Sequence, residues 1–148
     1  MRILILALLS MIVLAGCDSR PMKQTDSPTV VTQSGVSEIT PEQAKPAVEA
    51  AYSQFIDVRS AEEFATGHAY RARNIPLSTL MANLDMLEKN EPVYIISQTG
   101  KRSLEAARML NGAGFPQAIS IKGGTEAWRA AGMPMASVES GSDRGPSR

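Results

Sequence analysis

Sulfur and imidazole are nearly absent from this chain. Its 148 residues include one cysteine, Cys17, and one histidine, His68. A single cysteine excludes an intramolecular disulfide and a cysteine-built metal centre, and a single histidine excludes a histidine cluster. The eight methionines are scattered over the chain and form no metal-binding set. No metal site and no cofactor are expected. Net charge is missing too, because 15 basic and 15 acidic side chains cancel. No bulk field therefore favours a nucleic-acid partner or a charged membrane surface. What is present is an ordinary apolar fraction, 43%, and a length that suits one globular domain with short extensions.

The first 17 residues read as an export signal. Arg2 precedes an apolar run from Ile3 to Ala15, too short for a comfortable membrane span. The run ends Leu14-Ala15-Gly16-Cys17, which resembles a bacterial lipobox. That resemblance implies lipidation of Cys17, which becomes the mature N-terminus and makes the membrane a partner. The alternative is a plain cleaved signal with an incidental cysteine. Asp18 resembles the residue that retains Gram-negative lipoproteins at the inner membrane, with the domain facing the periplasm. Residues 18–36 are rich in Ser, Thr, Gln, Asp and Pro and read as a flexible tether. Such a tether has a typical reach of about 25 Å. Residues 136–148 read as a frayed tail, which leaves 37–135 as the domain.

Within the domain, strand-like and helix-like segments alternate. Thr40-Pro41-Glu42 opens a helix with a capping hydroxyl and a proline at the first turn, and Pro46 shortens it. Phe55 to Arg59 is a buried strand with a polar end. Ser60 with Glu63 forms a capping box for a short helix ending near Gly67. Ala72 to Ile75 reads as a short strand closed by Pro76. Ser78 or Thr79 caps a helix carrying Leu80, Leu84 and Leu87. Val93–Ile96 is a strand, followed by a loop and a helix to about Gly112. Ala118–Ile121 is a strand, and Thr125–Ala131 is a helix carrying Trp128, stopped by Gly132. The pattern predicts an α/β fold, a central parallel sheet with helices on both faces. Ligands of such sheets bind at the carboxyl ends of the strands.

The chain is organised around Ser97-Gln98-Thr99-Gly100-Lys101-Arg102. A buried strand that enters a tight polar turn and then a helix builds an anion cradle from backbone N–H groups and the helix dipole. Gly100 lets the backbone curl, and Arg102 offers a planar fork of donors to an oxyanion. Lys101 adds positive charge. Ser97 holds the first position, where a nucleophile would stand.

Four pieces of the sequence, in order, resemble the rhodanese family over roughly Val36 to Met135. They are Ile56-Asp57-Val58-Arg59 with Glu62-Glu63-Phe64, then Gly67-His68 with Asn74-Ile75-Pro76. The loop Ser97–Arg102 after Tyr94-Ile95-Ile96 follows, and last Gly123-Gly124 with Trp128, Gly132 and Pro134. The resemblance implies a rhodanese-like domain in the single-domain exported form. It also exposes two departures. Family members usually have glycine where this chain has Arg71. Active rhodaneses have cysteine where it has Ser97, and that cysteine carries sulfane sulfur from a donor such as thiosulfate as a persulfide.

The sulfur-transfer step needs a thiolate, which an amide cradle stabilises by lowering the thiol pKa. A serine hydroxyl is far less acidic and forms no equivalent of the persulfide. Serine nucleophiles need an adjacent base, for which His68 and Asp57 are the candidates, both more simply read as structural. The expected function is a non-catalytic rhodanese homologue that binds a small oxyanion, a sulfur-carrying group or a protein partner. The alternative is an enzyme working through the same loop, sulfurtransferase-like or a serine-based hydrolase or phosphatase. Trp128 is expected in the core or as a lid on the sheet edge, Gly123-Gly124 close against the loop, and Arg71 and Arg73 in solvent, the alternative being that they point toward the loop and make its rim basic.

Overall fold

The computed structural model describes residues 31–33 and 35–137. The export-signal, lipobox and most of the tether readings lie outside the described residues, as does the tail beyond Ser137. No helix among the described residues is long and apolar enough to cross a membrane.

Six strands form one sheet: β1 (Val31–Gln33), β2 (Val36–Ile39), β7 (Ala118–Ile121), β6 (Val93–Ile96), β3 (Gln54–Asp57) and β5 (Arg73–Asn74), in that spatial order. All neighbours from β2 to β5 are parallel, and only β1 pairs antiparallel, with β2. The helices are α1 (Pro41–Val48), α2 (Ala61–Ala65), α3 (Lys101–Gly112) and α4 (Gly124–Ala130). A separate two-stranded pairing joins β4 (His68–Ala69) to β8 (Met135–Ala136).

Alternation along the buried central strands sorts the core into two layers. Ile56, Val93 and Ile95 face one layer with Leu80, Leu110 and Phe115. Phe55, Ile96 and Ile121 face the other with Val48 and Trp128. Trp128 is fully buried, tilted against Phe55 at 5.5 Å between ring centroids, and its Nε1 donates to the Pro134 carbonyl at 3.1 Å. The caps expected at Thr40 and Ser60 hold. Thr40 with Gln43 and Ser60 with Glu63 form reciprocal capping boxes, and α1 still runs through Pro46 to Val48.

Three local readings change. The helix expected after Ser78 or Thr79 is a pair of 3-10 turns, Leu77–Ala82 and Leu84–Met86, with no side-chain cap. The spacings Leu77–Leu80 and Leu84–Leu87 are three residues each, which a three-residue turn satisfies as well as an α-helix does. The strand expected over Ala72–Ile75 shrinks to Arg73–Asn74, where Asn74 Nδ2 donates to the carbonyls of Asp57 and Arg59. Pairing also reaches beyond the compositional boundaries. β1 falls in the stretch read as tether, and Ala136 at the start of the stretch read as tail pairs with His68. Backbone pairing needs an open strand edge and carries little compositional signature.

Arg71 occupies the position where the family resemblance implies glycine, and it keeps a glycine-like backbone, φ 70°. Its guanidinium donates to the carbonyls of Glu49, Ala50 and Ala51 at 2.7, 3.1 and 3.4 Å, closing off the C-terminal end of α1. A residue with a Cβ in this region costs about 1 kcal/mol, and the charged hydrogen bonds offset it. Arg71→Ala keeps the strain and loses the bonds, so urea unfolding is expected to show about 1 kcal/mol lost. Arg71→Gly loses both together and is expected to stay close to the natural protein. Equal losses in the two variants would separate the side-chain contacts from the backbone argument and refute it.

Candidate functional site

Strands β3 and β6 end side by side, with Asp57 opposite Ile96 and the Val58 N–H on the Ile96 carbonyl at 3.0 Å. The chain leaving β6 is the loop Ser97–Arg102. The first turn of α4 grips this loop from outside. Thr125 N–H donates to the Ser97 carbonyl at 2.7 Å, and Glu126 N–H donates to the Gln98 carbonyl at 3.2 Å. That approach requires glycine at 124, since a Cβ there would lie 2.1 Å from the Ser97 carbonyl oxygen. Gly123-Gly124 therefore sits against the loop as expected. In a trans peptide the N–H points opposite to its carbonyl. Turning the carbonyls of Ser97 and Gln98 toward α4 turns the next amides into the bowl. The N–H groups of residues 98–102 donate to no protein acceptor among the described residues. These are the amides that the sequence pattern assigns to an anion cradle.

Ser97 stands at its base, 1% exposed. Its Oγ accepts from Ser103 N–H at 3.1 Å and lies 3.4 Å from Ser103 Oγ. Ser103 Oγ donates to the Gly100 carbonyl at 2.9 Å and lies 3.0 Å from Ser120 Oγ. One hydroxyl has one proton to give. Ser103 gives its own to Gly100, so Ser97 and Ser120 both donate to Ser103. The Ser97 proton thus faces the core, not an incoming ligand.

The two candidate bases are committed elsewhere. Asp57 is fully buried, and both its oxygens receive Arg59, at 2.7 to 3.0 Å. Arg59 also donates to the Gly67 carbonyl at 2.8 Å, tying the strand end to the turn after α2. His68 stacks on Phe64 at 3.7 Å between centroids and pairs its Nδ1 with the Phe64 carbonyl at 3.0 Å. Neither residue is hydrogen-bonded to Ser97 Oγ.

Arg102 departs from its expected role. Its guanidinium does not reach freely into the bowl but forms a two-pronged pair with Glu63, at 2.6 and 2.7 Å. In the sequence Glu63 is marked as the capping residue of α2 and as part of a family-like motif, and it does cap, accepting from Ser60 N–H at 3.0 Å. Gln98 and Thr99 are exposed, and Gln98 Nε2 donates to Glu126 at 3.1 Å. Lys101 is exposed on the first turn of α3. Arg73 turns to the Met86 carbonyl, so neither it nor Arg71 enters the rim. Two hollows flank the Glu63–Arg102 pair. One, of about 420 Å³, is lined by Arg59, Glu62, Glu63, Gln98, Glu126 and Arg129 among others. The second, of about 710 Å³, has Val58, Pro76, Leu77 and Met109 on its wall beside Arg102. Glu126, Arg129 and the inner pair Ser103 and Ser120 carried no separate signal in the sequence. Only a serine at an inward position of the apolar strand Ala118–Ile121 hinted at a polar contact. No group of three or more metal-ligating side chains exists among the described residues.

A parallel α/β sheet carries these loop amides at the end of a central strand, gripped by a diglycine helix start. The family model for the rhodanese-like domain matches residues 40–131, and the chain belongs to that family. It is 30% identical to the thiosulfate sulfurtransferase GlpE of Actinobacillus pleuropneumoniae serotype 3, over 67% of this chain and 92% of that protein. It is 41% identical to the uncharacterized protein YqhL of Bacillus subtilis, over 51% of this chain but only 60% of that protein. Among solved structures, a rhodanese-like domain protein from Staphylococcus aureus superposes with a TM-score of 0.57 at 36% identity, covering 62% of this chain and 89% of that one.

The Arg102 fork holds the Glu63 carboxyl down to about 2, below its ordinary 4.5, with the Ser60 backbone N–H adding to the effect. A depressed carboxylate contributes stability above its unfolded pKa and loses it as pH falls through the folded one. The window is therefore from about pH 4.5 down to about 2. Both partners are about a third exposed, 38% and 33%, so solvent screening limits the pair to about 1 kcal/mol. Glu63→Gln keeps a capping-box acceptor. It is expected to lower stability by about that amount at pH 7 and to flatten the acid limb of the Tm–pH curve between those limits. An unchanged acid limb would mean that the pair contributes nothing.

Proposed function

We propose that this domain is a rhodanese homologue that binds an anionic or sulfur-bearing group without transferring sulfur. The observation that carries the reading is Ser97 itself. A hydroxyl stands at the base of an otherwise open amide bowl, and its proton is directed inward to Ser103. Binding needs only the amides of residues 98–102, whereas persulfide formation needs a thiolate. The GlpE likeness supports the sulfur-handling ancestry of the site. A lipid on Cys17 would hold the domain at the periplasmic face of the inner membrane, where a small oxyanion, a sulfur carrier or a protein partner is the ligand class.

The decisive comparison is thiocyanate formation by the purified protein and its Ser97→Cys variant. In the variant, the thiolate attacks the sulfane sulfur of thiosulfate, sulfite leaves, and cyanide then removes that sulfur and regenerates the thiolate. The natural protein is expected to be silent and the variant to exceed it at least about tenfold, since the cradle favours the thiolate. Amide chemical shifts of Gln98 to Arg102 should move when the natural protein is titrated with thiosulfate or methanesulfonate. Turnover by the natural protein, abolished in Ser97→Ala, would overturn the reading. So would loop amides that respond to neither anion.

The tether has its own test. Labelled palmitate should enter the natural protein and not Cys17→Ala, and only the natural protein should sediment with membranes. An unlabelled, soluble natural protein would remove the anchor from the account.

A further inference from the structure

The charges around the bowl are less favourable to a free anion than the loop sequence suggests. Arg102 is the guanidinium that the loop itself supplies, and Glu63 takes both its outer nitrogens at 2.6 and 2.7 Å. Arg59, on the wall of the smaller hollow, is matched by Asp57 at 2.7 Å. With those pairs set aside, the same wall presents Arg129 against Glu62 and Glu126. Two carboxylates thus stand on that wall against one guanidinium, and Glu126 also accepts from Gln98 Nε2. Lys101 is exposed on the first turn of α3. The amides of the bowl still attract negative charge, but each added unit of ligand charge meets less and less compensation. The hollows of about 420 and 710 Å³ on either side of the pair also leave far more room than an inorganic ion fills. The larger has Val58, Pro76, Leu77 and Met109 as its apolar side and also carries Ser60, Ser78, Glu62 and Glu105.

We propose that Glu63 sets the charge selectivity of this site: by holding Arg102 it suits the bowl to a singly charged head group carried on a larger molecule, of the sulfonate or persulfide type, and disfavours free dianions such as sulfate. The inference rests on the anion-binding reading of the loop and names the ligand class within it. The head group sits on the amides of residues 98–102, and the body of the ligand lies along the apolar side of the larger hollow, beside Leu77 and Met109. Glu63 is then a specificity-determining residue whose task is to neutralise a cation, not to contact a reacting atom.

Sulfate and methanesulfonate separate charge from shape, because both are tetrahedral and differ by one negative charge. Their dissociation constants are measured from the loop amide shifts in the natural protein, Glu63→Gln and Arg102→Gln. The natural protein is expected to bind methanesulfonate at least as tightly as sulfate. Glu63→Gln frees the guanidinium and is expected to tighten sulfate about tenfold, the scale of one uncompensated charge at a partly exposed site, with a smaller change for methanesulfonate. Arg102→Gln leaves the carboxylate unpaired, so the ratio moves the opposite way, and this variant decides the matter if Glu63→Gln does not fold. A natural protein that prefers sulfate, or a ratio unmoved in the folded variants, overturns the charge-selectivity proposal while leaving the cradle in place. Failure of every form to bind either probe overturns the cradle reading as well.

Discussion

The site depends on one contact between two pieces of backbone. The first amides of α4 donate to the carbonyls of Ser97 and Gln98, with Thr125 N–H only 2.7 Å from its acceptor. That contact fixes the orientation of two successive peptides, and planarity then aims their N–H groups into the bowl. It exists because Gly124 has no side chain to fill the gap. Gly100, at φ 91°, closes the same turn from the other side, where a Cβ would lie 3.0 Å from Gly123 N. The bowl is thus made by backbone packing between α4 and the loop, and the side-chain atom at position 97 takes no part in that contact. This explains how a domain can keep the cradle with serine in the place of cysteine.

Two carboxylate–guanidinium pairs flank the bowl and do different work. Asp57 and Arg59 are almost wholly buried, and their remaining hydrogen-bonding capacity is taken up by Arg59 N–H and the Gly67 carbonyl. Such a pair costs desolvation and repays it mainly in specificity of geometry. Here it locks the end of β3 to the turn before β4. Glu63 and Arg102 are partly exposed, and their pair joins the start of α2 to the start of α3. Its consequence is electrostatic, because it sets a carboxylate against the one arginine of the loop. Behind the bowl, Ser97, Ser103 and Ser120 satisfy one another's hydroxyls in a fully buried chain. An unpaired hydroxyl at that depth would be costly, so the serine at 97 is accommodated by a partner set, not merely tolerated.

Much of this was legible in the sequence. The alternation of strands and helices, the caps at Thr40 and Ser60, the loop after Val93–Ile96, the diglycine contact and the buried Trp128 all follow from local patterns and from the family resemblance. The errors were local also. Leucines three residues apart fit a 3-10 turn and an α-helix alike, so the segment after Pro76 was read as one helix. The strand at Arg73–Asn74 and the pairing of β4 with β8 depend on a neighbouring backbone edge, not on side-chain pattern. Arg71 shows a case in between. The sequence marked it as a departure from glycine, yet only the structure shows its guanidinium closing α1.

Fold class, the position of the loop after Val93–Ile96 and the serine at its first position are written in residues that are neighbours along the chain. The tertiary structure alone decided what the charged and polar groups of that loop are doing. Glu63 and Arg102 stand 39 residues apart, and Ser103 and Ser120 stand 17 apart. Such groups meet only after the strands have taken their order in the sheet. Charge pairing acts over a few ångströms in space, whereas the patterns that specify helices and strands act over a few residues in sequence.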